Sequence, residues 1–263
     1  ASMPPTLTTS SPRTSSLCPR RPRRPARPRR LSRRLRPRSI IFSKMCGRYT
    51  LHANKKALAE AIALALPEDY EPNYNIGPGR ETLSIATRDK MQPVAKMMHW
   101  GLRTPQNFHI NARIESADTT PRFRESWHAH RCLLPANGFY EWYQDGITKQ
   151  PYYIYPPQDT LHYFAGLWFP PTGYESPPSF VILTTKANTS IRSIHERMPV
   201  ILKQVSQVSW LDGTLKTREV QSLASKVLLE KHTVSRRVNS VQNEDSRLIE
   251  ATTPLTDGQM MFF

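Results

Sequence analysis

The stretch MCGRYT (45–50) contains the residue best suited to covalent chemistry, Cys46, directly after a methionine. If removal of Met45 made Cys46 the first residue, that residue would present an α-amine and a thiol on adjacent carbons. An aldehyde would condense with the amine to an imine, and the thiol would then close a thiazolidine ring. The amine titrates near ~8 and the thiol near ~8.5, so both are reactive at neutral pH. An internal Cys46 would form only a hemithioacetal, because a peptide nitrogen delocalises its lone pair into the carbonyl.

Three further segments place polar side chains in apolar or turn-forming surroundings. A histidine, with an ordinary pKa near ~6.5, and a carboxylate among aromatic rings are suited to proton transfer near neutral pH. The side chains are Asn111, Arg113 and Glu115 in HINARIES (109–116), Glu141 in PANGFYEW (135–142), and His195, Glu196 and Arg197 in SIHERMPVIL (193–202). Taken singly, each is more often structural than catalytic, so the segments gain meaning only in combination.

The sequence shows no pattern that is typical of a bound cofactor. It contains neither a glycine-rich phosphate loop nor a G-x-S-x-G elbow. His128, His130 and Cys132 are closely spaced, but tetrahedral zinc needs a fourth ligand. We interpret these three residues as a helix end that continues into a strand, and we expect neither a cofactor nor a metal.

The positive charge of the chain is concentrated at its beginning. The 263 residues carry a formal net charge of +16. Residues 1–44 contain twelve Arg, one Lys and no acidic residue, so +13 lies in this leader and only +3 in the rest. No apolar run approaches the ~18 residues that a membrane span needs. Three cysteines make no disulfide framework, which indicates a reducing compartment.

The leader itself is Arg/Pro/Ser-rich, and we expect it to be disordered because it has little to bury. It could be a transit peptide, a nuclear-localisation or nucleic-acid-binding tail, or upstream sequence attached by an incorrect start site. We favour the last interpretation. We expect an intracellular protein, nuclear in the first instance, with mitochondrial targeting by the leader as the alternative.

From residue 45 onward the pattern predicts a mixed α+β domain, 45–263. Strands outnumber helices and do not alternate with them, which argues against a doubly wound parallel sheet. The predicted helices are 54–66, 120–130 and 217–230, and the predicted strands are 92–102, 131–135, 138–143, 151–155, 162–168, 179–185 and 199–202. Residues 73–81 read as a loop, 234–244 as strand and loop, and Asp145-Gly146 as a hairpin turn.

Ten segments in this order resemble the SRAP family, the SOS-response-associated peptidases or abasic-site processing proteins. They are MCGRYT (45–50), PNYNIGPG (72–79), HWGL (99–102), NAR (111–113), RCLLPANGFYEW (131–142), QPYYIY (150–155), FAGLW (164–168), ILTTKAN (182–188), IHERMPVIL (194–202) and RVNSVQN (237–243). The resemblance covers almost everything after Met45 and nothing before it. It implies a curled, barrel-like sheet with a few flanking helices and a positively charged cleft.

The resemblance also implies the chemistry. Cys46, as the mature N-terminus, would attack the ring-opened aldehyde of an abasic site in single-stranded DNA and remain attached as a thiazolidine. His195 would act as general acid and base, Glu141 would position the amine and carry protons, and Asn111 would hold the adduct. The residues expected to contact DNA are Arg48, Arg113, Arg197, Trp100, Trp142, Asn75 and Thr184. We expect a monomer without membrane contact and with lyase- or peptidase-type activity.

Two other functions remain open from the sequence. A cysteine hydrolase or autopeptidase would use Cys46, His195 and Glu141 as nucleophile, base and orienting residue. A peptidase tolerates an internal cysteine, whereas a thiazolidine former does not. A non-enzymatic nucleic-acid-binding protein would depend on the basic leader, so deletion of residues 1–44 would abolish its binding.

Overall fold

The computed structural model describes residues 46–87, 92–146, 148–157, 161–171 and 177–254. The strands, in chain order, are β1 (Tyr49–Leu51), β2 (Asn73–Ile76), β3 (Glu81–Ala86), β4 (Val94–Trp100), β5 (Leu102–Arg103), β6 (Phe108–His109), β7 (Asn111–Arg113), β8 (Arg131–Ala136), β9 (Gly138–Asp145), β10 (Thr148–Tyr155), β11 (His162–Phe169), β12 (Ser179–Lys186), β13 (Arg197–Pro199), β14 (Ile201–Leu202) and β15 (Glu230–Thr233). The helices are α1 (Lys55–Ile62), α2 (Ile114–Ala117), α3 (Pro121–Ala129), α4 (Gln207–Leu211) and α5 (Thr217–Ser225).

The larger sheet closes on itself. β12 pairs with β4, β3 and β8 follow, and β11 pairs with both β8 and β12. The short strands β7, β13 and β14 attach to this ring. Closure pairs the backbone groups that an open sheet leaves at its edges. The mixed, partly ring-like sheet confirms the expected α+β class.

The second sheet has five antiparallel strands in the order β15-β10-β9-β1-β2. The chain passes from the ring to this sheet at Asn137, between β8 and β9, where its backbone N–H donates to the carbonyl of Thr50. Side chains alternate across the sheet. Phe139 and Ile154 point into the main core, whereas Tyr140 and Tyr153 point into a smaller cluster. The sheet therefore has an inner and an outer face.

The helices α3, α4 and α5 pack against strands of the ring, chiefly β11, β8 and β14 respectively. The Asn54 side chain caps α1 by accepting from the backbone N–H of Ala57 at 2.9 Å. α3 presents Phe123 and Trp127 to a cluster that also includes residues of α4 and α5. None of the helices in the described part of the chain has the length and apolar character that crossing a bilayer requires.

Several boundaries differ from the sequence predictions. The helix expected at 54–66 ends at Ile62, because Ala63 takes a left-handed conformation with φ of 53°. The loop expected at 73–81 is wrong: residues 73–76 form β2, which β1 holds by backbone pairing despite their turn-forming composition. The helix expected at 217–230 ends at Ser225, and residues 230–233 instead form the edge strand β15 beside β10.

The C-terminal segment and the strand after His195 also differ in detail from the sequence predictions. The segment 234–244 contains a 3-10 turn at Arg236–Asn239, and its expected strand lies just ahead of it. The strand expected at 199–202 is two short strands, because β13 pairs with β12 and β14 pairs with β11. The expected hairpin at Asp145-Gly146 is confirmed by the antiparallel pairing of β9 with β10. The leader 1–44, with Cys18, lies outside the described residues.

Candidate active site around Cys46

Cys46 lies immediately before β1 and is 1% exposed within the main apolar core. Burial raises the pKa of its thiol well above the ordinary value, and the neighbouring Glu141 raises it further. A backbone hydrogen bond from Arg48 acts in the opposite direction. The resting thiol is therefore protonated at neutral pH and needs a base when it reacts.

Asn111 fixes the backbone of the cysteine. It begins β7, which β12 holds by parallel pairing of Asn111 with Ile182. The Asn111 Nδ2 donates to the Cys46 carbonyl oxygen at 2.9 Å. Its Oδ1 is buried and has no hydrogen-bond partner among the residues that the structure describes. A buried amide oxygen left in this way is ready to accept a hydrogen bond from a ligand.

Glu141 is the buried carboxyl that interacts with the Cys46 thiol. It sits on the inner face of β9, opposite Tyr152 of β10, and is 4% exposed. Burial raises the pKa of its carboxyl to about 7, although His195, the backbone N–H of Trp142, Lys149 and the Cys46 thiol all favour the ionised form. The Oε1 atom lacks a hydrogen-bond partner in the described chain. A carboxyl that titrates near neutrality both accepts and donates protons there.

His195 approaches from the turn between β12 and β13. Its Nδ1 lies 3.0 Å from both the backbone nitrogen and the carbonyl oxygen of Arg197. If Nδ1 carries no hydrogen, it accepts a hydrogen bond from that backbone N–H. If Nδ1 carries a hydrogen, it donates to that carbonyl oxygen, so the Arg197 backbone orients the ring in both cases. Its attraction for the Glu141 carboxylate places the imidazole within electrostatic reach of the base. We call Cys46, Asn111, Glu141 and His195 the Cys46 site.

Arg197, which we expected to contact DNA phosphates, forms its hydrogen bonds within the protein. It is 7% exposed and forms a bidentate ion pair with Glu115, at 2.8 and 2.9 Å. It also donates to the carbonyl and hydroxyl oxygens of Thr184, at 2.6 and 3.2 Å. Partial burial opposes ionisation of Glu115, but the hydrogen bond from Arg197 lowers its pKa overall. Arg197 and Thr184 therefore brace β12, β13 and α2 together, which corrects their assignment to a DNA surface.

Arg48 and Asn75 likewise hold the protein rather than face outward. Asn75 is fully buried, and its Nδ2 donates to the carbonyls of Ser240 and Asn243 at 2.9 and 2.8 Å. Its Oδ1 accepts from Arg48 Nη1 at 2.9 Å, and the same Nη1 reaches the Val238 carbonyl at 2.9 Å. We call Arg48, Asn75 and the segment 238–243 the Asn75 clamp. It corrects the expected DNA contact of Asn75 and gives Arg48 a structural task.

The two tryptophans predicted to stack on bases lie elsewhere. Trp100 is 0% exposed and donates from Nε1 to the Ile110 carbonyl at 2.9 Å, so base stacking by this residue is wrong. Trp142 follows Glu141 on β9 and therefore points to the outer face. There its Nε1 donates to Asn239 Oδ1 at 2.9 Å, and the Lys149 ammonium lies 5.5 Å from its ring centroid. Strand alternation thus separates Trp142 from the Cys46 site.

Arg113 is the one expected DNA contact that is exposed, at the end of β7 beside Asn111. Sequence reasoning singled out Glu115 but not its pairing with Arg197, and it missed Lys149. Glu115 lies 82 positions from Arg197, so no local pattern marks the pair. Within the described residues, no group of three His, Cys, Asp or Glu side chains is arranged to hold a metal ion.

The chain is similar in sequence to known proteins over most of its length. The abasic site processing protein YoqW of Bacillus subtilis (strain 168) is 34% identical over 226 residues, which cover 79% of this chain and 100% of the relative. The abasic site processing protein YedK of Escherichia coli (strain K12) is 30% identical over 224 residues, covering 78% of this chain and 99% of the relative.

The fold is shared with solved structures. The X-ray crystal structure of a protein from Bacteroides thetaiotaomicron matches with a TM-score of 0.66 at 22% identity, over 79% of this chain and all of that one. A family model described as SOS response associated peptidase (SRAP) matches residues 45–241, which is most of the chain. The chain therefore belongs to the SRAP family.

Proposed function

We propose that this protein processes abasic sites in single-stranded DNA by covalent capture, with Cys46 as its reactive N-terminal residue. The relatives from Bacillus subtilis and Escherichia coli are named abasic site processing proteins, and the chain matches them over almost their whole length. The observation that carries the chemistry is the contact of the buried Cys46 thiol with Glu141, a base that titrates near neutrality.

The capture reaction forms one carbon–nitrogen and one carbon–sulfur bond and releases water. The Cys46 amine attacks the C1′ aldehyde carbon of the open sugar, and the resulting carbinolamine loses water to give an iminium ion. The sulfur then attacks the same carbon, and the electron pair of the C=N bond returns to nitrogen. The thiol proton passes to Glu141, the neighbouring carboxyl that interacts with the thiol and titrates near neutrality.

The other residues of the Cys46 site position and transfer protons. Asn111 holds the Cys46 carbonyl, which orients the amine and thiol of the same residue. Its unpartnered Oδ1 accepts a hydrogen bond from the sugar or the adduct. His195, held at Nδ1 by the Arg197 backbone, uses Nε2 to protonate the sugar ring oxygen as the aldehyde opens.

A cysteine peptidase is the weaker alternative. Peptidase cysteines act as thiolates whose pKa is lowered by a neighbouring cation or helix N-terminus. Here burial and the carboxyl of Glu141 raise the pKa of the Cys46 thiol instead. Imine formation by the amine removes this difficulty, because the thiol then adds within the same residue to an activated carbon.

The test compares the chain that begins at Cys46 with the full chain. Each is incubated with single-stranded DNA that carries one abasic site, and a denaturing gel and mass spectrometry follow. We expect a heat-stable adduct, with the summed mass of protein and DNA less one water, only for the chain that begins at Cys46. Cys46→Ala abolishes the adduct, and Cys46→Ser forms no stable thiazolidine. An equal adduct on the full chain with its leader intact refutes the proposal.

A further inference from the structure

The inner face of β9 carries an aromatic ring that the Cys46 site does not use. Tyr143 lies two residues beyond Glu141, so both side chains point to the same face of the strand. Two residues along a strand correspond to about 6.6 Å. Tyr143 pairs with Gln150 of β10, one step beyond the pairing of Trp142 with Pro151 and two steps beyond that of Glu141 with Tyr152. The tyrosine ring therefore stands on the rim of the site.

This ring differs from its neighbours in exposure. Tyr143 is 39% exposed, whereas Phe139 on the same face is 0% exposed. It stacks on no other aromatic ring among the described residues. Packing in the core therefore does not account for an aromatic residue at this position.

The chemistry of the substrate gives the ring a task. The captured nucleotide has lost its base, so aromatic recognition must act on a base of a neighbouring nucleotide. Successive nucleotides of a stacked strand rise by about 3.4 Å, so a ring about 6.6 Å away reaches one or two nucleotides along the strand. Stacking between a base and an aromatic side chain tolerates any sequence, because every base has a π-face.

We infer that Tyr143 is a base-stacking residue that holds the unpaired nucleotide beside the abasic site. This inference rests on the proposed function and adds to it the strand segment that the site recognises. It transfers the stacking role from Trp142, whose ring lies on the outer face, to the next residue in the sequence.

The experiment measures the contribution of one neighbouring base to binding. The probes are single-stranded oligonucleotides with a tetrahydrofuran residue, which has no aldehyde and forms no adduct. In one probe the adjacent nucleotides carry bases, and in the other they are also tetrahydrofuran. The full chain is used at about 0.3 M salt, where the phosphate contacts of the basic leader are weakened.

We expect the unsubstituted protein to bind the probe with bases at least about fivefold more tightly, since stacking on one base contributes ~1 kcal/mol or more. Tyr143→Ala loses this difference, and Tyr143→Phe keeps it because the ring remains. If Tyr143→Ala retains the full difference, the inference is overturned. Capture of natural abasic DNA is scored separately with the chain that begins at Cys46, so loss of capture with a retained Tyr143 effect contradicts the proposed chemistry and not the stacking role of Tyr143.

Discussion

Two buried asparagines, Asn75 and Asn111, use their amides differently. Asn75 donates to the carbonyls of Ser240 and Asn243 and accepts from Arg48, so both ends of its amide are occupied. Asn111 donates only to the Cys46 carbonyl and has an Oδ1 without a partner in the described chain. An unsatisfied buried polar atom is costly, so Asn75 stabilises the fold with its whole amide, whereas Asn111 retains a buried acceptor atom that a bound ligand would satisfy.

Two glutamates repeat the contrast. The hydrogen bond from Arg197 lowers the pKa of Glu115 despite its partial burial, and this ion pair joins α2 to β13. Burial raises the pKa of Glu141 to about 7, and the attraction of His195 and Lys149 for its carboxylate offsets this only in part. The Cys46 site therefore differs from the Asn75 clamp and the Glu115–Arg197 pair in one respect. Two of its buried oxygen atoms, Asn111 Oδ1 and Glu141 Oε1, have no hydrogen-bond partner among the described residues.

Among the substitutions that test this contrast, Glu141→Gln should have the largest effect, a slower capture of abasic DNA. Without a base for the thiol, capture of abasic DNA slows by roughly 100-fold or more, as removal of a general base does. Capture by the unsubstituted protein rises with pH through about 7, the pKa of Glu141, and the variant loses that step. Single-turnover capture rates on denaturing gels, measured from pH 5 to 8, check this. A variant that keeps the step would assign it to another group.

The same substitution changes stability with a defined sign. Below pH ~4.5 the Glu141 carboxyl is protonated in both the folded and the unfolded chain. Between about 4.5 and 7 only the unfolded chain ionises, so the folded state loses stability as pH rises, by on the order of 3 kcal/mol. Glu141→Gln removes this loss. Urea unfolding at pH 5 and pH 8 should show a smaller drop in the free energy of unfolding for the variant.

Substitution of the two asparagines separates fold from chemistry. Asn75→Ala removes the side-chain donor to the Ser240 and Asn243 carbonyls and the acceptor of Arg48 Nη1, and we expect a loss of about 3 kcal/mol in the free energy of unfolding. Asn111→Ala breaks one hydrogen bond, to the Cys46 carbonyl, and should lose about 1 kcal/mol in the free energy of unfolding. Urea unfolding measures both. For capture of abasic DNA we expect the reverse: Asn111→Ala slows the rate more than Asn75→Ala does. Equal effects of the two variants on both stability and capture would contradict the separate roles of the two asparagines.

The smallest expected effects are those of substituting Arg113 and Arg197, which should differ in the salt dependence of DNA binding and in stability. Arg113→Ala should reduce the slope of log affinity against log salt by about one on single-stranded DNA, with little change in stability. Arg197→Ala should leave that slope unchanged and lower the free energy of unfolding by about 2 kcal/mol, because Glu115 loses its partner. Binding is titrated at several salt concentrations. A reduced slope for Arg197→Ala would return Arg197 to the DNA surface.

Parts of this arrangement are readable from the sequence. Residues 131–136 and 179–186 are near-continuous apolar runs, and both form strands of the ring. The outward orientation of Trp142 was also available, since a strand prediction over 138–143 already places it opposite to Glu141. The strand β2, by contrast, could not be predicted from its sequence, which reads as a loop, because β2 forms through pairing with β1 and not through its own composition.

The sequence alone determined the family segments and the chemical types of the reactive residues, because a thiol, a carboxyl, an amide and an imidazole are properties of single residues. Only the tertiary structure decided what each group does. Burial set the pKa of Glu141 to about 7, and a partner 82 positions away turned Arg197 into a brace. Desolvation and long-range pairing depend on which residues the fold brings together, and no local pattern specifies that.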